Sequence, residues 1–389
     1  MADASDLRRA LRRIQPPDAI GAERRAWAVV RTAFEEHEPA RRRPPQALRP
    51  LLIAAGAVAL IAAVVNPPVL NAIRDAVGRT KEKKVVTYKQ ALFSLPAPGR
   101  LLVNTARGPW IIRPDGGRRL LGRYRDASWS PRGLFVTALG PHDLVALEPN
   151  GTARWSLARA GKLSSPRWSP EVDGSTKIAY LRGDTLRLVA GDGTQDRLVD
   201  AAAAPTAPAW KPGGFTLAYV GGAGRIRVVD TATNKLSWHS LRLPPVTELS
   251  WSDDGTRLLA LTHRSLIVFG GLRGQRIGRA FLPAEAVAAA FAPGSHRIAV
   301  LLRFPQQSAV QLRDGDAPGA ASRMVFNADG RFGTLAWSPN GTWLLAGWKS
   351  ADAFMFVTPK GRQRIVGDIA RQLGAFPNVP QAGWCCPAG

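Results

Sequence analysis

Six segments, spaced about forty residues apart, repeat one design and leave the chain few folds to choose from. They are Trp129-Ser130-Pro131-Arg132-Gly133, Trp168-Ser169-Pro170, Trp210-Lys211-Pro212-Gly213, Trp251-Ser252-Asp253-Asp254-Gly255, Phe291-Ala292-Pro293-Gly294 and Trp337-Ser338-Pro339-Asn340-Gly341, at intervals of 39, 42, 41, 40 and 46 residues. An apolar run follows each, such as Leu258-Leu259-Ala260 or Leu344-Leu345-Ala346. The residue types specify a reversal: Pro fixes φ, Asp or Asn bonds the local backbone, and Gly takes a positive φ. Third strands follow, as at Ile226–Asp230 and Ser265–Phe269. Second turns at Asp115-Gly116, Asn150-Gly151, Asp192-Gly193 and Lys360-Gly361 then lead into fourth strands. Each period therefore supplies a four-stranded sheet. A sheet that small cannot cover its own faces, and a run of them is expected to stack around an axis.

A degenerate opening copy at Phe93-Ser94-Leu95-Pro96-Ala97-Pro98-Gly99 brings the count to seven. Near the end, Gly383-Trp384-Cys385-Cys386-Pro387 repeats the strand that ends in tryptophan. It is expected to pair in the first blade and close the ring, because an open ring would expose a sheet edge. The fold class read from the sequence is mainly β, a seven-bladed β-propeller over residues 85–389. One aromatic per blade at fixed phase points to packing between blades, not to ligand stacking.

The first 84 residues are unlike the rest. Leu7, Leu11 and Ile14 share a helical face, as do Trp27, Val30 and Phe34, so residues 1–40 read as two short amphipathic helices. Residues 41–49 form a basic linker containing Arg41-Arg42-Arg43. The stretch 50–72 carries no charge and is expected to span a membrane. Its strongest fifteen residues, Leu51 to Val65, rise about 22 Å as a helix. A basic stalk at 73–84 leads to the propeller. Positive charge flanks the span on both sides. Export of a tail with eleven arginines is the less favourable arrangement, so the N-terminus is expected in the cytoplasm and the propeller outside.

The W-S-P-x-G units resemble those of TolB-like, WD40-like bacterial propellers of the PD40 type, over about residue 93 to the end. The usual Asp after Pro is mostly replaced, by Arg132, Glu171, Gly213 and Asn340. The resemblance implies a propeller that binds proteins or peptides.

Function is less legible. Neither a G-x-S-x-G elbow nor an H-E-x-x-H pair is present, and His37, His142, His239, His263 and His296 are scattered. No catalytic residue, metal set or cofactor is expected. The two cysteines, Cys385 and Cys386, are adjacent, a spacing that disfavours a bond between them. Formal net charge is +24, of which residues 1–84 hold +7 and the remainder +17. A basic surface attracts anions of many kinds. In a propeller the loops between second and third strands gather on one face. Here they carry Arg107, His142, Arg182, His263, Arg264, Arg303 and Lys349, a candidate rim for an acidic protein or an anionic envelope polymer. Solvated arginine is the competing explanation. Nucleic acid is not expected, since no motif accompanies the charge. A helical tail, one span and a large outer domain is also the layout of transmembrane anti-sigma regulators. That alternative expects a cytosolic transcription factor as partner of residues 1–40.

Overall fold

The computed structural model describes residues 94–380 and 383–386. The expectations for residues 1–93, the anticipated helices and the span at 50–72 among them, lie outside the described residues. Among the described residues no helix is long and apolar enough to cross a membrane.

Seven four-stranded antiparallel sheets form the blades. Blade 1 holds β1 (Arg100–Thr105), β2 (Gly108–Ile112) and β3 (Arg118–Leu120). Blade 2 is β4 (Arg125–Trp129), β5 (Val136–Leu139), β6 (Asp143–Leu147) and β7 (Ala153–Ala158). Blade 3 is β8 (Leu163–Trp168), β9 (Lys177–Arg182), β10 (Thr185–Ala190) and β11 (Arg197–Asp200). Blade 4 is β12 (Ala209–Trp210), β13 (Thr216–Val220), β14 (Arg225–Asp230) and β15 (Lys235–Arg242). Blade 5 is β16 (Val246–Trp251), β17 (Arg257–Thr262), β18 (Ser265–Gly270) and β19 (Arg276–Phe281). Blade 6 is β20 (Glu285–Phe291), β21 (Arg297–Arg303), β22 (Gln307–Asp314) and β23 (Arg323–Asp329). Blade 7 is β24 (Phe332–Trp337), β25 (Leu344–Trp348), β26 (Ala353–Val357) and β27 (Gln363–Val366). A one-turn helix, α1 (Ile369–Leu373), leads to β28 (Trp384–Cys385), the inner strand of blade 1.

The ring closes as the sequence anticipates. Leu101 pairs with Trp384 and Arg100 with Cys385. The closing segment begins earlier than expected, where Asn104 and Asn378 exchange backbone hydrogen bonds of 2.7 and 2.8 Å. One expectation fails: the sulfurs of Cys385 and Cys386 are bonded to each other. Cys386 adopts a left-handed backbone.

The W-S-P-x-G turn shows why each residue is there. The serine Oγ accepts the N–H of the residue at or just before the start of the next strand: Phe135 on Ser130, Arg257 on Ser252 and Trp343 on Ser338, at 2.9–3.0 Å. Its carbonyl accepts the glycine N–H three residues on, at Gly133, Gly255 and Gly341, all near φ +65°. The serine is buried, so an alanine there would deprive the part-buried N–H of its acceptor. The outer turns use the same logic, with Asp115, Asn150 and Asp192 accepting the N–H two residues ahead.

The core is not central. Seven buried apolar clusters lie among the described residues, and each joins two neighbouring blades. Leu139 and Leu144 of blade 2 meet Leu163, Ile178 and Tyr180 of blade 3, for example. The repeated tryptophans bridge these interfaces, and they also donate across them. Indole N–H groups of Trp210, Trp251 and Trp337 reach the carbonyls of Arg167, Ala209 and Ala290 at 2.9–3.1 Å. Each acceptor immediately precedes the corresponding aromatic of the blade before. Trp129 does the same to Gly383 at 3.0 Å, across the closure. Trp384 donates instead to the Pro98 carbonyl at 3.1 Å, and the Trp168 indole nitrogen is buried and unpaired.

Candidate functional site

Two places could serve a ligand: the axial channel, and the face that bears the hairpins between second and third strands. Inner strands bulge as they approach the axis, with register shifts between Arg125 and Ser128, Ser164 and Arg167, Val246 and Glu248, Ala286 and Ala288, and Phe332 and Leu335. A bulge turns one extra residue toward the axis. Asp126 and Ser165 take positive φ there. The resulting cavity is about 490 Å³ and is lined by Arg167, Thr247, Glu248, Ser250, Thr334 and Asn378 among others.

Several polar groups around the axis are engaged from blade to blade, while Thr334 Oγ1 is buried without a partner. Glu248 Oε2 accepts the Ala289 N–H at 2.8 Å, and Asp126 accepts the Ser165 N–H at 2.5 Å. Ser128 donates to the Pro166 carbonyl, and Asn104 accepts from Ala127. Glu248 is half-buried by exposure but sits deep in the channel, and burial pushes its pKa up to about 7. Its accepted hydrogen bond and the distant charge of Arg167 only partly offset that. These contacts make the channel a stitched axis between blades.

The hairpin face is different in kind. All seven residues named from the sequence lie on or beside hairpins joining second to third strands, and strand direction puts those hairpins on one face. Arg107 follows β1, and His142 precedes β6. Arg182 ends β9, and His263 and Arg264 link β17 to β18. Arg303 ends β21, and Lys349 follows β25. Arg107, His142, His263, Arg264 and Lys349 are exposed. Arg182 and Arg303 are half-buried and occupied. Arg182 donates to the Ala160 carbonyl at 2.7 Å, and Arg303 pairs with Glu285 at 3.1 Å and reaches the Phe332 carbonyl. The rim is therefore five exposed groups, with two of the seven serving the walls.

Two arginines escaped the sequence reading. Arg123 lies on the connection from β3 to β4, which surfaces on the same face as the hairpins, and Arg125 opens β4 beside it. Both are exposed, and they share a groove with Arg107. The signal was present in Arg123-Tyr124-Arg125, but attention to hairpins alone passed over the links between blades.

On the opposite face, several charges are paired. Arg132 meets Glu171 at 3.0 Å, Arg154 meets Glu148 at 3.4 Å, and Arg257 meets Asp316 at 2.7 Å. His296 is clamped there between Asp316 on Nδ1 and Asp254 on Nε2, each at 2.9 Å, joining blades 5 and 6. Burial works against the imidazolium, yet the two carboxylates outweigh it and raise the His296 pKa. Among the described residues no group of three or more His, Cys, Asp or Glu is arranged to hold a metal ion.

No protein-family model matches the chain, and no curated protein matches it. Solved structures do. The chain is similar to Hsv2 of Kluyveromyces lactis, at 11% identity and a TM-score of 0.51, covering 69% of this chain and 94% of that one. It is similar to a 6-phosphogluconolactonase-like protein from Bacteroides fragilis, at 14% identity and a TM-score of 0.51, covering 70% and 94%. Hydrazine synthase of Kuenenia stuttgartiensis matches at 13% identity and a TM-score of 0.50, covering 74% and 81%. At such identities the likeness is one of fold, and the fold is a seven-bladed β-propeller.

Proposed function

We propose that this protein is a membrane-tethered binding scaffold whose hairpin face holds an anionic partner, an acidic protein or an envelope polymer. The observation that carries the reading is the gathering of exposed cations on that face: Arg107, Arg264 and Lys349, with Arg123 and Arg125 beside them, take part in none of the ion pairs found among the described residues. An unneutralised cationic face lowers the free energy of an approaching anion over several ångströms. The repeat's resemblance to TolB-like propellers supports a protein-binding role. The uncharged stretch at 50–72 supports a tether, with the N-terminus in the cytoplasm and the propeller outside.

The reading treats the propeller as a binder, not an enzyme. Some propellers of similar fold bear enzyme names, but likeness at 13 and 14% identity does not extend to chemistry. Photo-crosslinking in intact cells tests the face. A crosslinker at Arg264 or Lys349 should give a discrete adduct that weakens as salt is raised, and one at Lys360 on the opposite face should not. Adducts equal from both faces, or insensitive to salt, would remove the electrostatic face from the account. Protease added outside intact cells should leave residues 1–49 uncut; digestion of that tail would reverse the orientation.

A further inference from the structure

The cations of the hairpin face are not evenly spread. Between blades 1 and 2 lies a groove of about 710 Å³, within the roughly 300–1,000 Å³ typical of ligand pockets. Its charged walls are Arg107, Arg123 and Arg125, and Tyr124, Leu120 and Pro141 lie between them. We infer that this groove binds an acidic peptide segment, with carboxylates on either side of an apolar side chain. The inference rests on the anionic-partner reading of the face and deepens it.

The groove is built by close backbone approach. Gly108 at φ +135° and Gly122 at φ +128° touch back to back, and a Cβ on Gly108 would come within 1.9 Å of the Gly122 carbonyl oxygen. That contact presses the β1–β2 hairpin onto the link between blades and brings Arg107 beside Arg123. The Tyr124 ring lies over Gly122, where a Cβ would meet it at 2.8 Å. The Arg107 side chain, from Cδ to the guanidinium carbon, lies over Gly374. Arg125 donates to the Leu163 carbonyl at 2.8 Å, which fixes its direction.

None of the ion pairs among the described residues includes these three arginines. The nearby acids are committed elsewhere: Asp115 accepts the Gly117 N–H and faces Arg113, Asp126 accepts the Ser165 N–H, and Asp143 accepts from Ser156 at 2.5 Å. Three like charges in one groove repel, and a carboxylate relieves that repulsion while accepting paired guanidinium hydrogen bonds. Leu120 is 39% exposed and, with Tyr124 and Pro141, gives the groove an apolar floor. A bare phosphate would leave that floor wet, and a lipid headgroup offers nothing to cover it. A peptide with an apolar residue between acids covers both.

Fluorescence polarisation on the full-length chain in non-ionic detergent tests this. The probe is a fluorescein-labelled peptide Glu-Asp-Leu-Asp-Glu, and the control is its Gln/Asn counterpart. Binding of the acidic probe alone is expected, with Arg107→Gln and Arg123→Gln each weakening it by roughly tenfold and Lys360→Gln, on the opposite face, leaving it unchanged. Neither Arg107 nor Arg123 donates a side-chain hydrogen bond that folding would miss, and circular dichroism checks both variants. Weakening by Arg264→Gln but not by the groove variants would overturn the groove and keep the face. Groove-dependent binding of pyrophosphate or phosphatidylglycerol vesicles without the peptide would overturn the ligand class. No binding by any anion would remove both readings.

Discussion

The sharpest prediction concerns one nitrogen. Trp337 donates its indole N–H to the Ala290 carbonyl at 3.1 Å and is 5% exposed, whereas the Trp168 indole nitrogen is buried without a partner. The two residues hold equivalent positions in blades 7 and 3. Replacing either by β-(3-benzothienyl)alanine keeps the bicyclic shape and exchanges N–H for sulfur. At 337 the exchange strands a buried carbonyl and should cost about 1–3 kcal/mol. At 168 there is no bond to lose, and the cost should lie within about 0.5 kcal/mol of zero. Trp337→Phe adds the lost area of the smaller ring, on the order of 1 kcal/mol more. A phenylalanine is tolerated at this phase, since Phe291 occupies it in blade 6 at 8% exposure. Urea unfolding followed by far-UV circular dichroism measures the difference without relying on indole fluorescence. Equal costs at 337 and 168 would show that the tryptophans act through bulk alone and that the donated bond carries nothing.

Deleting residues 376–389 removes β28 and the Asn378 pairing, so the melting temperature should fall sharply; an unchanged melting curve would deny that the ring closes through this segment. His296 has a folded pKa raised above its unfolded value of about 6.5, so its clamp contributes stability below that pH and loses it as pH rises through the folded pKa. His296→Gln should flatten the stability–pH curve on the alkaline side of about 6.5, and an unchanged curve would dissociate the clamp from folding. Glu248 has its pKa raised to about 7, so the folded state loses stability as pH climbs from about 4.5 toward 7. Glu248→Gln keeps an oxygen for the Ala289 N–H and should be more stabilising at pH 8 than at pH 5; the reverse order would mean that the carboxylate is favoured in the channel.

The blades were legible because their turns are local. Ser252 and Arg257 are five residues apart, and their hydrogen bond forms whatever the neighbouring blade does. The same holds for Asp192 and Thr194. Closure was legible because a strand left over at Trp384 must pair somewhere. The candidate site was half legible. Counting along the hairpins found Arg107 and Arg264, but it could not tell that Arg303 is tied to Glu285. It also could not foresee that Gly108 against Gly122 would bring Arg123 into the same groove.

The amino-acid order thus determined by itself the number of sheets, the turns within each and the strand that joins the ends, since each depends on interactions a few residues long. Tertiary structure alone decided which carbonyl each indole meets, which acids the bulges turn to the axis, and which arginines share a groove. Those outcomes depend on how one sheet lies against the next, across some forty residues of chain, and no local propensity records that angle.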